Sequence, residues 1–246
     1  MKILVLMGGP KIEQKGKNYP LYMTEINKTM LIERNVDLYK ALNPSKILYC
    51  VRREDIRDFN INEILKRLFE ESVCIPVYSQ TQGAICTALL AMEYINDDEE
   101  LLITSIDEII EEDYLKIVNG FRKENLDVGL LAFQAVHPRY SYARLGQNSE
   151  IEEVAEKKTI STNALASFYY FKKGSDFVKS AISVLKKDNP VNGGFYISQT
   201  INEMILLQKK VGLTKFETKN FFPLKDADQV LEYIFGTVKG PANENS

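Results

Sequence analysis

Short apolar runs alternate with helix-periodic segments along the first half of the chain. Lys2 to Met7 is an apolar run that ends at Gly8-Gly9-Pro10, the way a buried parallel strand delivers its chain into a glycine loop. A long charged loop follows. From Lys28 on, KTMLIERNVDLYKAL places Met30, Leu31, Val36, Leu38, Tyr39 and Leu42 on one broad apolar face before Asn43-Pro44 stops it, which predicts a helix. KILYCV predicts a second strand, NEILKRLFEES a helix and CIPVYS a strand. GAICTALLAMEYI predicts a helix apolar on nearly every side and therefore deeply packed. LLITSID is a strand with a polar end, DYLKIVNGFRKEN a helix and VGLLAFQAV a strand. Beyond Pro138 the rhythm changes. RYSYARL, SEIEEVAEK and ALASFYYFK are short strands with polar interruptions, followed by a helix over DFVKSAISVLKK.

Strands alternating with helices of about a dozen residues predict an α/β, Rossmann-like fold: a mixed, mainly parallel sheet flanked by helices, with ligands at the strands' carboxyl ends. The second half adds a small mixed or antiparallel lobe. The expected organisation is one domain over 1–236, with halves 1–136 and 137–236, and a flexible tail over 237–246 that lacks apolar residues to dock.

Composition narrows the chemistry. The 246 residues carry 31 Lys and Arg against 34 Asp and Glu, a formal net charge of -3, so the basic excess that nucleic-acid backbones demand is missing. The single histidine, His137, argues against a histidine metal cage or a Ser-His-Asp triad. Catalysis would rest on carboxylates, lysines, backbone amides and an oxygen-held metal. Cys50, Cys74 and Cys86 are odd in number and lie in apolar surroundings, which fits thiols in a reducing compartment. The first apolar run is too short for a signal peptide and no later run approaches the ~20 residues of a membrane span. A cytoplasmic location without membrane attachment is expected.

Four places carry candidate chemistry. Gly8-Gly9 lets backbone N–H groups approach a base or phosphate, or is a plain turn. Lys15, Lys17 and Lys28 can neutralise a triphosphate, or decorate a solvated loop. Asp107, beside Glu108 at a strand's carboxyl end, can hold Mg²⁺ while substrate phosphates complete the shell, or cap a helix. Glu156-Lys157 can grip a polar substrate and its phosphate, or be surface charge. Asn192 lies in an Asn-Gly-Gly turn and Glu203 on a helix face.

Taken in order, LVLMGGP, YPLYMTEINKTMLIE, TQGAICTALLA, LLITSIDEI, EVAEKKTISTNALASFYYFKKGSDF and NGGFYISQTINEMI resemble the sugar-phosphate nucleotidyltransferases, whose fold is GT-A-like. The resemblance implies base and phosphate binding at Leu6, Gly8, Gly9, Gln82 and Gly83, and Mg²⁺ on Asp107. It implies an acceptor site at Glu156 and Lys157, with Asn192 and Glu203 beside them. The chain also departs from the family. Pro10-Lys11-Ile12 stands where a third glycine and an arginine are usual, and Tyr19-Pro20-Leu21 replaces a proline-lysine pair. Lys15, Lys17 or Lys28 would then stand in for the catalytic lysine. Where a second metal aspartate sometimes precedes a Gly-Thr-Pro turn, the chain reads Leu224-Lys225-Asp226-Ala227-Asp228, leaving Asp226 and Asp228 as candidates.

Within the family the chain is most similar to the cytidylyltransferases of capsular polysaccharide phosphoramidate modification. That similarity implies CTP and L-glutamine phosphate as substrates, and CDP-L-glutamine and pyrophosphate as products. A sugar-1-phosphate uridylyl- or thymidylyltransferase and an inactive nucleotide-binding homologue are the alternatives. A homo-oligomer is left open.

Overall fold

The structure, a computed structural model, describes residues 1–8, 11–14, 17–26 and 28–238. Strand β1 (Lys2–Leu6) is followed by a hairpin of β2 (Lys11–Gln14) and β3 (Lys17–Pro20), a smaller one of β4 (Glu25–Ile26) and β5 (Thr29–Met30), and helix α1 (Leu31–Lys40). The helix expected from Lys28 thus starts at Leu31. Lys28 instead occupies the β4–β5 turn with φ of 67°, and the Glu33 carboxylate accepts the Met30 N–H at 2.9 Å, which pins the helix start one turn later.

Next come β6 (Lys46–Arg52), α2 (Arg53–Phe59), α3 (Ile61–Leu68), β7 (Ser72–Val77), α4 (Ala84–Leu89) and α5 (Met92–Ile95). The predicted all-apolar helix is in fact two short helices with one buried side. Ile85, Ala88, Ala91 and Ile95 are buried, whereas Leu90 is 45% and Met92 43% exposed. The chain continues through β8 (Leu101–Ser105), β9 (Glu108–Ile110), α6 (Tyr114–Lys123), β10 (Val128–Gln134), β11 (Ser141–Leu145), β12 (Ile151–Ala155) and β13 (Asn163–Phe171). It ends with α7 (Gly174–Lys187), α8 (Ile197–Leu206), β14 (Val211–Lys215), β15 (Phe221–Pro223) and α9 (Ala227–Val238). Helix α9 runs two residues into the stretch expected to fray, and 239–246 lie outside the described residues.

Nine strands form one sheet in the order β12-β11-β13-β8-β1-β6-β7, with β10 along β13 and β14 beside β10. Strands β8, β1, β6 and β7 are mutually parallel. The mixed half expected beyond Pro138 continues the same sheet, β13 running antiparallel to β8, β10 and β11. Alternate residues face opposite layers, as the strand period of two requires. Ile3, Val5, Ile47 and Tyr49 pack with residues of α1, α3 and α6, while Leu4, Leu48 and Cys50 pack with residues of α4, α7 and α8. No helix among the described residues is long and apolar enough to cross a membrane.

Burial pushes the Cys50 thiol up to about 12 and the Cys74 thiol up to about 11, so neither forms the reactive thiolate near neutrality. Iodoacetamide at pH 8 is expected to alkylate Cys86 in the native protein and to reach Cys50 and Cys74 only after unfolding, as read by peptide mass mapping. Native labelling of Cys50 at the rate of Cys86 would contradict this packing.

Candidate active site

Strand β1 is where the strand order reverses. The chain passes from β1 to β6 and β7 on one side and returns to place β8 on the other. Loops leaving the carboxyl ends of β1 and β8 therefore diverge and open a crevice, the usual ligand position in such sheets. Two cavities lie there. One, of about 480 Å³, is lined by Leu6, Ser105, Glu108, Glu156, Lys157 and Lys225 among others. The second, of about 570 Å³, is lined by residues that include Gly8, Arg52, Tyr78, Gln80, Thr81 and Gly83.

Gly83 and Ala84 line one cavity each. The backbone crosses the segment leading into α8 there, with Phe195 N–H donating to Gln82 O at 2.9 Å and Ile85 N–H donating to Phe195 O at 3.1 Å. Gly83 has φ of 107°, and a Cβ on it would stand 2.4 Å from the Phe195 carbonyl oxygen. Only glycine satisfies both conditions.

The acidic end of β8 is tied on every side. Along one edge of β13, β8 pairs with 168–171 and β11 with 164–165, so the edge splits near Ser167, and the Ser167 N–H is taken by Glu108 Oε2 at 2.7 Å. Lys225 reaches back to both acids, its Nζ 2.6 Å from Asp107 Oδ2 and 3.2 Å from Glu108 Oε1. Ser105 Oγ donates to Asp107 Oδ1. Asp107 and Glu108 side chains are only 14% and 8% exposed. Burial works to lower the Lys225 ammonium, but the two carboxylates outweigh it and hold it above its ordinary value. Asp107 caps no helix; the cap of α6 is Asp113, which accepts from Lys116 N–H at 2.9 Å.

Across the first cavity, Glu156 Oε2 accepts from Ser141 Oγ at 2.5 Å and Ser198 Oγ at 2.6 Å. Lys157 is held at φ of 53°, with its N–H donating to Tyr140 O at 3.1 Å. This left-handed conformation costs a non-glycine residue about 1 kcal/mol or more. It lets Lys157 Nζ donate to the Tyr196 hydroxyl and lie 4.4 Å from the centre of its ring. Arg139, whose guanidinium lies 5.4 Å from the Tyr140 ring centre, lines the same cavity. Burial, then the Glu156 charge, keeps the Tyr169 hydroxyl protonated.

Leu6, Glu156 and Lys157 thus meet at the first cavity, and Gly8 and Gly83 at the second. Asp107 joins them through Lys225 and Ser105. Gln82 is exposed, and it is Gln80 and Thr81 that line the second cavity. Lys28 is exposed in its hairpin and lines neither cavity. Asn192 is exposed in the turn closed by Val191 and Gly194, and Glu203 clamps α8 to α7 through Ser183 at 2.8 Å and Lys187 at 2.5 Å. Gly9, Lys15 and the side chain of Lys17 lie outside the described residues. Sequence reasoning missed Lys225, Arg139 and Tyr196. For Lys225 the signal was a lysine inside the Leu-Lys-Asp-Ala-Asp stretch already singled out for its acids.

The three-dimensional arrangement has clear parallels among solved structures. A nucleoside-diphosphate-sugar pyrophosphorylase from Vibrio cholerae RC9 superposes with a TM-score of 0.81 at 18% identity, over 96% of this chain and 100% of the other. The chain has the nucleotidyltransferase fold. A UDP-glucose pyrophosphorylase complexed with UDP-glucose gives a TM-score of 0.76 at 16% identity, over 97% and 98% of the two chains. A Bacillus anthracis structure, assigned as a glucose-1-phosphate thymidylyltransferase and complexed with sucrose, gives 0.74 at 17% identity, over 100% of this chain and 97% of the other. No family model matches the sequence, and no curated protein does.

Gly83→Ala is expected to destabilise the fold by about 2–4 kcal/mol, because both the backbone conformation and the contact with Phe195 must give way. The measurement is the urea unfolding midpoint. An unchanged midpoint would show that the crossing of these two segments tolerates a side chain.

Proposed function

We propose that this chain is a cytidylyltransferase that joins CTP to L-glutamine phosphate, giving CDP-L-glutamine and pyrophosphate. The fold supports nucleotidyl transfer, with a nucleotide half over 1–136 and an acceptor half over 137–236. The observation that carries the acceptor is the charge pattern of the first cavity. Among the described residues Lys157 and Arg139 have no carboxylate partner, while Glu156 is fixed by two serine hydroxyls on one oxygen and leaves Oε1 without a protein donor. Two uncompensated cations and one anchored carboxylate match a phosphate, a carboxylate and an ammonium on one small molecule. A sugar 1-phosphate carries only the phosphate and asks otherwise for neutral hydrogen-bonding groups.

In this reading the triphosphate enters from the second cavity. The backbone at Gly8 and Gly83 and the Gln80 amide meet the cytosine edge, since an amide both donates and accepts, and Gln82, outside the cavity lining, remains a proposed further partner of the base. Lys15, Lys17 and Lys28 remain proposed partners of the triphosphate, and Asn192 and Glu203 proposed outer elements of the acceptor site. Lys157 holds the acceptor phosphate. One of its oxygens attacks the α-phosphorus in line, the bond to the bridging oxygen breaks, and the electron pair leaves with pyrophosphate. Positioning and charge neutralisation carry such a reaction. A phosphate dianion is already nucleophilic near neutral pH, so no general base is required.

The fit of Mg²⁺ to Asp107 is tested by its donor set. All four carboxylate oxygens of Asp107 and Glu108 are engaged by Lys225, Ser105 or the Ser167 N–H. Of the other candidates, Asp226 accepts from Gln229 N–H at 2.9 Å at the start of α9, and Asp228 is exposed in its first turn. No group of three potential ligands occurs among the described residues. These residues do not fit a divalent ion in this arrangement.

A second reading, uridylyl or thymidylyl transfer to a sugar 1-phosphate, draws support from the structures aligned above. Pyrophosphate release measured with four NTPs, each with L-glutamine phosphate or glucose 1-phosphate, separates the two. We expect CTP with L-glutamine phosphate to be the best pair by at least ~10-fold in kcat/KM. Glu156→Gln is expected to raise the KM for L-glutamine phosphate at least ~10-fold while changing that for CTP less than ~2-fold, because it strips the charge facing an ammonium. Efficient turnover of glucose 1-phosphate, or equal effects of Glu156→Gln on both substrates, would favour the sugar reading. Nucleotide binding without turnover of any pair would leave the inactive homologue.

A further inference from the structure

We infer that Lys225 supplies from within the chain the positive charge at the Asp107–Glu108 carboxylate pair, so that the nucleotide-free protein has no divalent-cation site there and Mg²⁺ enters only as the chelate of its nucleotide. The claim about the reacting phosphates rests on the nucleotidyl-transfer reading; the claim about the cation site does not.

Lys225 is delivered to the acids by backbone pairing. Strand β15 runs antiparallel to β9 with Pro223 opposite Glu108. The next residue, Leu224, is fully buried and donates its N–H to the Asp107 carbonyl oxygen at 2.8 Å. Lys225 N–H then binds Gln229 Oε1 at 2.8 Å, which ties the residue to the first turn of α9. The side chain leaves a backbone fixed on both sides and meets both acids.

Each carboxylate oxygen already has a donor, as described above. Mg²⁺ requires near-octahedral oxygen coordination at about 2.0–2.1 Å, so binding Asp107 Oδ2 would place a dication directly against the Lys225 ammonium. The positive charge that faces the two acids is a covalently attached ammonium. Lys225 also lines the first cavity, as do Ser105 and, across from it, Lys157. Its ammonium is therefore at the surface where an incoming phosphate must lie. A lysine offers three donors on a compact charge, so it can keep one acid and turn toward a phosphate oxygen without leaving the site.

The test uses Mn²⁺ binding to the full chain, followed by electron paramagnetic resonance without nucleotide, in the native protein and in Lys225→Met. The native chain is expected to show no site with a Kd below ~1 mM. Lys225→Met, with one oxygen of each acid uncovered, is expected to gain one site at least ~10-fold tighter, lost again when Asp107→Asn is added. With CTP and acceptor, Lys225→Met is expected to lose at least ~100-fold in kcat at saturating MgCTP, and Lys225→Arg to recover at least ~10-fold of that loss. Circular dichroism and a melting curve establish that the variants fold, and Lys225→Arg retains the charge if Lys225→Met does not fold. A native Mn²⁺ site tighter than ~1 mM that disappears in Asp107→Asn would overturn the inference. So would native-like turnover by folded Lys225→Met. Absence of turnover in the native chain would defeat the proposed function while leaving the Mn²⁺ result to decide the cation site.

Discussion

The architecture depends on the position of β1 between two parallel partners. Because β6 and β8 both pair with it in register from Lys2 to Leu6, β1 is sealed along both edges, and Ile3, Leu4 and Val5 are completely buried. At its carboxyl end the chain must leave the sheet between two parallel neighbours, with helices covering both faces. The loop at Gly8 and the acidic turn after Ser105 consequently flank the same crevice, although they stand about a hundred residues apart in sequence. The two cavities follow from that divergence, and the chain from Gln82 to Ala84 passes between them.

The second half of the chain extends the same sheet beyond β8. Strand β13 gives one edge to β8 for part of its length and to β11 for another part, and the split leaves room for side chains at Ser167 and Ser141. Satisfying the backbone at such a split is obligatory, since a buried N–H without a partner costs about 1–3 kcal/mol. Glu108 meets that need with one oxygen and the Lys225 ammonium with the other. A single carboxylate thereby links the integrity of the split edge to the electrostatics of the cavity. Glu156 repeats the device, since the two serines that hold its Oε2 come from β11 and α8. Both acids are positioned by structural hydrogen bonds while contributing charge to the cavity.

Apolar patterning made much of the fold legible. Buried parallel strands at KILVL, KILYCV and LLITS show as continuous apolar runs because both faces of each are covered. Errors arose where tertiary contacts overrode local periodicity. The apolar pattern running through Met30 is shared between a hairpin and α1, and only the left-handed Lys28 and the Glu33 cap decide where the helix begins. The GAICTALLAMEYI stretch is apolar in composition, yet Leu90 and Met92 face outward because α4 and α5 present one side to the sheet.

In the candidate site, Gly83 was reached only through the resemblance to the nucleotidyltransferases. Residue type and strand end were enough to single out Gly8, Asp107, Glu156 and Lys157, because the carboxyl ends of strands are predictable once the strands are. The partners of those residues were not, since they arrive from distant chain: Lys225 by the β9–β15 pairing, Ser198 and Tyr196 by the start of α8, and Arg139 by the entry into β11. By itself the sequence determined the alternation of strand and helix, and with it the end of the sheet at which the candidate site residues gather, through burial patterns that need only neighbours in the chain. Which cation faces Asp107, and which of the charged groups stay uncompensated in the cavity, was decided by tertiary structure alone, because charge compensation depends on distances of a few ångströms between segments that no local pattern relates.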